Sequence, residues 1–435
     1  MGRSRGAEPA ADARPDVNPR DNPARGLQPR PEELPGGLRT PSLALYIHTP
    51  WCLRKCPYCD FNSHAAGAAP PFVDYVARLL ADLEQDLCGP AAGRPLSSIF
   101  IGGGTPSLFP GTAIQRLLDG VRARTVVAAD CEITLEANPG AADAARFDAY
   151  RQAGVNRLSI GVQSLDAGML ARLGRIHDPA AARAAIGAAR AAGIDNLNLD
   201  LMFALPEQTL TQAAADLAAL IELAPAHISY YQLTLEPDTP FHHAPPPLPD
   251  GDLAADMAAA GRARLGEAGY AQYEVSAYAG PGRQCRHNLN YWRFGDYLGI
   301  GAGAHGKLTD PRSGAIRRTA KWERPALYLT SPPTALCSST RDLSDADRVF
   351  EFALNALRLT AGFERGLFTA RTGLPWSRIE PLVAAALADG LLAVTADRIL
   401  PTELGRAFTD DLVMRFLVED SPAQGRGTVA GQHAG

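Results

Sequence analysis

Three cysteines stand within eight residues of one another, Cys52, Cys56 and Cys59, in the stretch TPWCLRKCPYCDF. Thiolates are soft ligands, and thiols clustered in this way select zinc or an iron–sulfur centre. Structural zinc takes four ligands, commonly as two pairs. No second pair of cysteines occurs in the chain, although His48 and His64 are near enough in sequence to complete such a site. Four cysteines ordinarily hold a [4Fe–4S] cluster. Three would leave one iron without a protein ligand, and an open iron is a place for chemistry. The other cysteines, Cys88, Cys131, Cys285 and Cys337, are scattered and read as small buried hydrophobes.

Further polar residues recur where apolar runs end. In IGGGTPS (101–107), the glycines let the backbone approach a ligand and expose amide donors, although a tight strand-to-helix turn would want the same residues. Glu136 lies in LEANPG, Gln163 in SIGVQS, Arg175 in LGRIH and Asp200 in NLDLM. A polar group inside an apolar strand is costly unless it is paired. Taken singly, an internal salt bridge explains Glu136 or Asp200 equally well. As a series at successive strand ends, they read as ligand-facing side chains.

The elements that must position these groups follow from the pattern. LALYI (43–47), SSIFIGG (97–103), CEITLE (131–136), NRLSIGVQ (156–163), NLNLDLM (196–202) and HISYYQL (227–233) read as buried strands. Between them lie helical repeats such as VDYVARLLADLEQDL, where Val73, Val76, Leu79, Leu80, Leu83 and Leu87 share one face. Gly154, Gly193 and Gly269 each follow a helix and suit a left-handed cap before the next strand. Six strand–helix alternations predict an α/β fold, an incomplete (β/α)6 barrel over 42–280. A linker or lid segment is expected over 281–345, and a helical, winged-helix-like domain with the hairpin LLAVTADRIL over 346–420. Residues 1–41 and 421–435, rich in Pro, Arg, Ala, Asp and Gly, read as disordered tails.

C-x-x-x-C-x-x-C directly after the first strand of such a barrel resembles the signature of the radical S-adenosylmethionine superfamily. The resemblance implies a [4Fe–4S] cluster on Cys52, Cys56 and Cys59, with S-adenosylmethionine chelating the open iron through its amino and carboxylate groups. An electron from the cluster would then cleave a sulfonium C–S bond. Tyr58 matches the aromatic residue beside the adenine, and Gly103, Gly104 and Thr105 match the motif that binds the methionine amino group. Glu136, Gln163, Arg175 and Asp200 match the S-adenosylmethionine positions of the oxygen-independent coproporphyrinogen III oxidase family. Tyr46 and His48, in YIHTPWC, match that family's Y-x-H-x-P-x-C opening. The oxidase, a porphyrinogen decarboxylase, carries a fourth cysteine two residues after the third, and here that position is Phe61. CPYCDFNSHA, GGGTPSL and HNLNYWRFGDYLGIGAGAHG are instead similar to the family's heme-chaperone branch. That likeness implies heme as a third bound group. His287, Asn288, Tyr291 and Trp292 of the HNLNYW motif are its expected contacts, and His305, in a flexible glycine loop, is a competing iron ligand.

Two functions therefore stand side by side, a heme-binding chaperone and a radical enzyme that decarboxylates a porphyrinogen, and Phe61 favours the first. The expected partners are heme-accepting proteins such as respiratory cytochromes and an electron donor for the cluster. Peripheral membrane association and a cluster-dependent dimer are further expectations. With 435 residues, a net charge of -5 and 46% hydrophobic residues, the chain has the composition of a globular protein without a nucleic-acid footprint. No run approaches the roughly 18 apolar residues of a membrane helix. The start of the chain lacks a signal-peptide core, so a reducing cytosol is the expected compartment.

Overall fold

Short β-branched runs alternating with amphipathic helices must pair side by side in parallel, because each helical crossover returns the chain to the same edge. In the computed structural model, which describes Gly2 and residues 37–140 and 144–419, they do so. The strands are β1 (Leu43–Thr49), β2 (Leu96–Gly103), β3 (Val127–Ala137), β4 (Arg157–Gln163), β5 (Leu197–Phe203) and β6 (His227–Gln232). Crossover helices α1 (Phe72–Asp86), α2 (Gly111–Arg122), α3 (Ala144–Ala153), α4 (Pro179–Ala191) and α5 (Leu210–Ile221) connect them, and α6 (Gly251–Glu267) follows β6. Gly154, Gly193 and Gly269 all take positive φ after their helices.

The sheet continues beyond these six. β7 (Ala271–Gln272) and β8 (Ala277–Ala279) add antiparallel to β6. After the short helix α7 (Arg286–Trp292), β9 (Asp296–Ile300) pairs in parallel with β1, Leu43 opposite Asp296. β10 (His305–Thr309), β11 (Ile316–Lys321) and β12 (Cys337–Asp342) follow antiparallel. The order is β12-β11-β10-β9-β1-β2-β3-β4-β5-β6-β8-β7, a partial barrel with seven parallel strands. The segment 281–345 is therefore not a linker: it supplies four strands of the main sheet. DYLGIG hides its strand because two of its residues are glycine and no crossover helix of ordinary length precedes it. Gly299 is required there, since a Cβ would lie 1.8 Å from the His305 carbonyl oxygen.

Alternation divides the strands into two faces. Leu43, Leu45, Ile47, Ile99, Ile101, Leu135, Leu158 and Ile160 join Tyr75, Leu79, Ile114 and Leu117 of α1 and α2 in one apolar core. The opposite, concave face carries Tyr46, His48, Phe100, Glu136, Ser159, Asp200 and Tyr231. Residues 345–416 form a second core around Val349, Phe352, Phe363, Phe368 and Ile379, which Phe294 joins from the turn before β9. The expected hairpin is present as Leu392–Thr395 and Arg398–Pro401, with Phe363–Glu364 as a third strand. The expected disordered tails lie almost wholly outside the described residues. Their inner boundary shifts, because Leu38 is buried and the Arg39 N–H donates to the Ala370 carbonyl at 2.8 Å. Cys131 and Cys285 are buried as expected, whereas Cys88 and Cys337 are exposed. No helix among the described residues is long and apolar enough to cross a membrane.

β9 is locked by a buried ion pair. Asp296 accepts from Lys307 Nζ at 3.1 Å, from Thr309 Oγ1 at 2.9 Å and from Arg94 Nη1 at 2.9 Å. Burial pushes the Lys307 ammonium down to about 8 despite this partner. Removing one member of such a pair strands the other charge, at about 3–5 kcal/mol. Asp296→Ala should lose about that much stability in urea unfolding followed by circular dichroism. A loss below about 1 kcal/mol would show that the pair does not hold β9 in place.

Candidate functional site: a thiol-lined cavity at the strand ends

The C-terminal ends of parallel strands are where barrel sites form, since the loops there are free of the crossover helices' packing. Here the glycine run at the end of β2 meets the loop that follows β1. The Gly104 N–H donates to the Thr49 carbonyl at 2.7 Å and the Thr105 N–H to the Trp51 carbonyl at 2.8 Å. Thr105 Oγ1 reaches Cys52 Sγ at 3.3 Å. A Cβ on Gly104 would sit 2.7 Å from the Trp51 oxygen, and one on Gly103, at φ +108°, would sit 2.5 Å from the His48 ring. The glycines thus serve close approach of backbone to backbone. Their amides are consumed by the protein, contrary to the expectation of free donors: Gly103 N–H goes to Glu136 Oε2 at 3.1 Å. A ligand ammonium needs acceptors in any case, and Glu136 is one.

Cys52, Cys56 and Cys59 line one cavity of about 690 Å³. Tyr58, Gly103, Gly104, Thr105, Glu136, Gln163, Arg175 and Asp200 line it too, so all the predicted S-adenosylmethionine positions except Tyr46 are brought together. Tyr46 lies behind the glycine run, its hydroxyl 2.9 Å from His48 Nδ1, and faces a neighbouring cavity. Gln163 closes β4 at φ +65°, a strained conformation for a residue with a side chain, and accepts from Tyr231 OH at 2.7 Å. Arg175 donates to the Gly161 carbonyl at 2.9 Å, to Asn138 Oδ1, and to Cys56 Sγ at 3.6 Å, while its buried Nε has no partner. Asp200 accepts from Asn198 Nδ2 at 2.7 Å and Ser159 Oγ at 3.4 Å.

The donor set fits an iron–sulfur cluster better than zinc. Among the described residues, no three His, Cys, Asp or Glu side chains converge as ligands of a single ion would. In a cuboid cluster each thiolate binds its own iron, and here the three cysteines share one cavity. His48 is also committed elsewhere, with Nε2 2.8 Å from the Asn62 carbonyl, and His64 Nε2 faces Asn62 Oδ1 at 3.0 Å. Burial pushes the thiols of Cys52 and Cys59 up, so iron binding there releases protons. The orphaned Arg175 donor and the two half-buried carboxylates of Glu136 and Asp200 suit a zwitterionic ligand with one carboxylate and one ammonium.

The HNLNYW motif lies differently from expectation. His287 is 1% exposed, and both ring nitrogens are engaged, Nδ1 with Ser98 Oγ at 3.0 Å and Nε2 with Tyr291 OH at 2.8 Å. Burial pushes its imidazole down to about 3, which keeps it neutral. It therefore offers no nitrogen to heme iron in this conformation. Tyr291 does reach a cavity wall, while Trp292 packs under the Arg358 guanidinium, 4.4 Å from its ring centre. Asn288 lines neither of these cavities.

Asn138, Ser159, Tyr231 and Arg358 also line the thiol cavity and were not singled out from the sequence. Tyr231 was within reach, because it alternates with Ser229 on the inward face of β6. Arg358 was not: it comes from the C-terminal module and is held by Glu274 Oε2 at 2.9 Å, nothing of which shows in a helical run.

Burial, and then the nearby Asp200, pushes the Glu136 carboxyl from 4.5 up to about 8. The folded chain therefore holds a proton that the unfolded chain releases between these values. That contribution to stability is complete below pH 4.5 and is lost as pH rises through about 8. For one proton the slope is at most about 1.4 kcal/mol per pH unit. Glu136→Gln should flatten the fall in unfolding free energy across this window by one proton's worth. Equal slopes in the two proteins would mean that the carboxyl is solvated.

Comparison with known proteins agrees with this geometry. Residues 46–220 match the radical SAM superfamily, and residues 343–408 match the HemN C-terminal domain. The chain is 52% identical to the heme chaperone HemW of Escherichia coli, over 88% of this chain and 100% of that one. It is 34% identical to the heme chaperone HemW of Mycobacterium tuberculosis, over 89% and 98%. Against a mitochondrial radical S-adenosyl methionine domain-containing protein 1 of Bos taurus it is 40% identical, over 67% and 68%. Among solved structures, the coproporphyrinogen III oxidase HemN of Escherichia coli superposes with a TM-score of 0.73 at 23% identity, covering 87% of this chain and 90% of that one, which establishes the shared fold. The chain belongs to the HemW heme chaperone family, within the radical S-adenosylmethionine superfamily.

Proposed function

We propose that this protein binds heme and passes it to acceptor proteins, and that it holds a [4Fe–4S] cluster and S-adenosylmethionine in the thiol-lined cavity. Cys52, Cys56 and Cys59 are the cluster ligands in this reading, and the cluster supplies one-electron chemistry when bound. Glu136 and Asp200 take the ligand's ammonium, the free Nε of Arg175 faces its carboxylate, and Tyr58 and Gln163 border the nucleoside. Gly103, Gly104 and Thr105 hold the cysteine loop against the sheet.

The observation that carries the heme reading over the decarboxylase reading is Phe61. It replaces the fourth cysteine of the oxidase family, is 56% exposed, and borders both the thiol cavity and its neighbour. An apolar ring there can cover a flat macrocycle but can neither ligate nor transfer a proton. The partners implied are heme-accepting proteins such as respiratory cytochromes and an electron donor. A cytosolic location, peripheral membrane contact and a cluster-dependent dimer belong to the same reading.

The test is a pair of anaerobic assays on the reconstituted full-length chain. Added hemin should give a Soret band that survives gel filtration, and coproporphyrinogen III with S-adenosylmethionine and reductant should give no protoporphyrinogen. Protoporphyrinogen formation together with loss of hemin on the column would replace the chaperone reading with the enzyme.

A further inference from the structure

We infer that heme sits in the second cavity, beside the thiol cavity, and that His305 is its iron ligand while His287 acts only by positioning Tyr291. This rests on the reading that the chain binds heme.

The second cavity, about 500 Å³, shares Asp60, Phe61, Gly103 and Glu136 with the first. Its own walls include Tyr291, Tyr297, His305 and Glu323. Tyr291 and Tyr297 stand edge to face, ring centres 4.6 Å apart. Together with the exposed ring of Phe61 they offer aromatic faces to a flat apolar ligand.

Ligation needs an imidazole nitrogen with its lone pair free. His48 borders this cavity, but its two nitrogens are bound to Tyr46 OH at 2.9 Å and the Asn62 carbonyl at 2.8 Å. His287 is sealed as described. His227 has both nitrogens engaged, with Asn198 at 2.6 Å and Tyr273 at 2.8 Å. His64, His177, His242 and His243 line neither cavity. His305 is exposed, borders the cavity and makes no side-chain hydrogen bond among the described residues.

Nor is His305 on a loose loop, as the glycines suggested. The Gly301 N–H donates to Tyr328 OH at 3.1 Å, the Ala302 N–H to Tyr75 OH at 2.9 Å, and the Gly303 N–H to the Trp322 carbonyl at 2.9 Å. Asn62 Nδ2 ties the Ala302 carbonyl, at 2.9 Å, to the segment just after the third cysteine. The imidazole is thus presented from a fixed backbone, so little ordering is needed to bind. Ligation replaces an axial water of ferric heme with the imidazole nitrogen, and no electron moves. In this arrangement the HNLNYW motif contributes a wall, Tyr291, whose hydroxyl is held by His287 Nε2 at 2.8 Å.

The experiment is a hemin titration of the full-length wild type, His305→Ala and His287→Ala, read at the Soret band, with circular dichroism and cluster iron as controls on folding. His305→Ala should weaken hemin affinity about tenfold or more and shift the band, and added free imidazole should restore the band position. His287→Ala should keep the wild-type band position. An unshifted band and unchanged affinity in His305→Ala would overturn the ligand assignment while leaving heme binding intact. Loss of the band in His287→Ala alone would assign ligation to that residue instead. A wild type that binds no hemin would overturn the heme reading itself, and this inference with it.

Discussion

Two stretches of backbone meet here closer than side chains would allow, and the site depends on that contact. The glycine run after β2 lies against the loop after β1, with Trp51 backbone atoms 2.7–2.9 Å from where a Gly104 Cβ would stand. Two main-chain hydrogen bonds and the Thr105 hydroxyl hold them together. The cysteine loop has little other regular structure to fix it: among the described residues, the strand Trp51–Cys52 pairs only with His64–Ala65. The aim of the sulfurs thus derives from the sheet through these glycines. A side chain at Gly104 would have to push the loop away from the strand ends before anything else in the protein noticed.

The second constraint is polarity inside a barrel. Ordinary barrels fill their interiors with branched apolar side chains. This one places Glu136, Asp200, Asn198, Ser159 and Arg157 there, with Asp200 held among Asn198 and Ser159. Arg157 is 2% exposed with an unpartnered Nε, and burial pushes Glu136 and Asp200 up. These groups destabilise the ligand-free barrel unless a charged ligand compensates them. The apolar core between sheet and helices carries stability instead, which leaves the concave face free for binding. Arg358 and Trp292 join the C-terminal module to this face, so the module borders the site rather than hanging beside it.

Much of the arrangement was legible from residue order alone. Each of the six early strands falls where its apolar run predicts, and Glu136, Gln163 and Asp200 converge because neighbouring strands of a parallel sheet run the same way; Arg175 joins them from the loop after the short helix Ala167–Arg172, through the Gly161 carbonyl and Asn138. β9 was not legible: its pairing with β1 is set by a tertiary ion pair, Asp296 with Lys307 and Arg94, and by Gly299, not by local propensity. His287 shows the other limit. A histidine flanked by aromatics has the same spelling whether its ring faces a ligand or is consumed by Ser98 and Tyr291, and only the fold distinguishes the two. The glycine loop of His305 misled for a similar reason, since its rigidity comes from Tyr75, Tyr328 and Asn62, far away in sequence.

The account turns on a cluster with one iron left open by the protein. Electron paramagnetic resonance of the reduced, reconstituted chain, with and without S-adenosylmethionine, tests that most directly. A [4Fe–4S]+ signal whose g-values move when S-adenosylmethionine is added is the predicted result. A cluster signal indifferent to S-adenosylmethionine, or bound zinc with no sulfide and no signal, would contradict it.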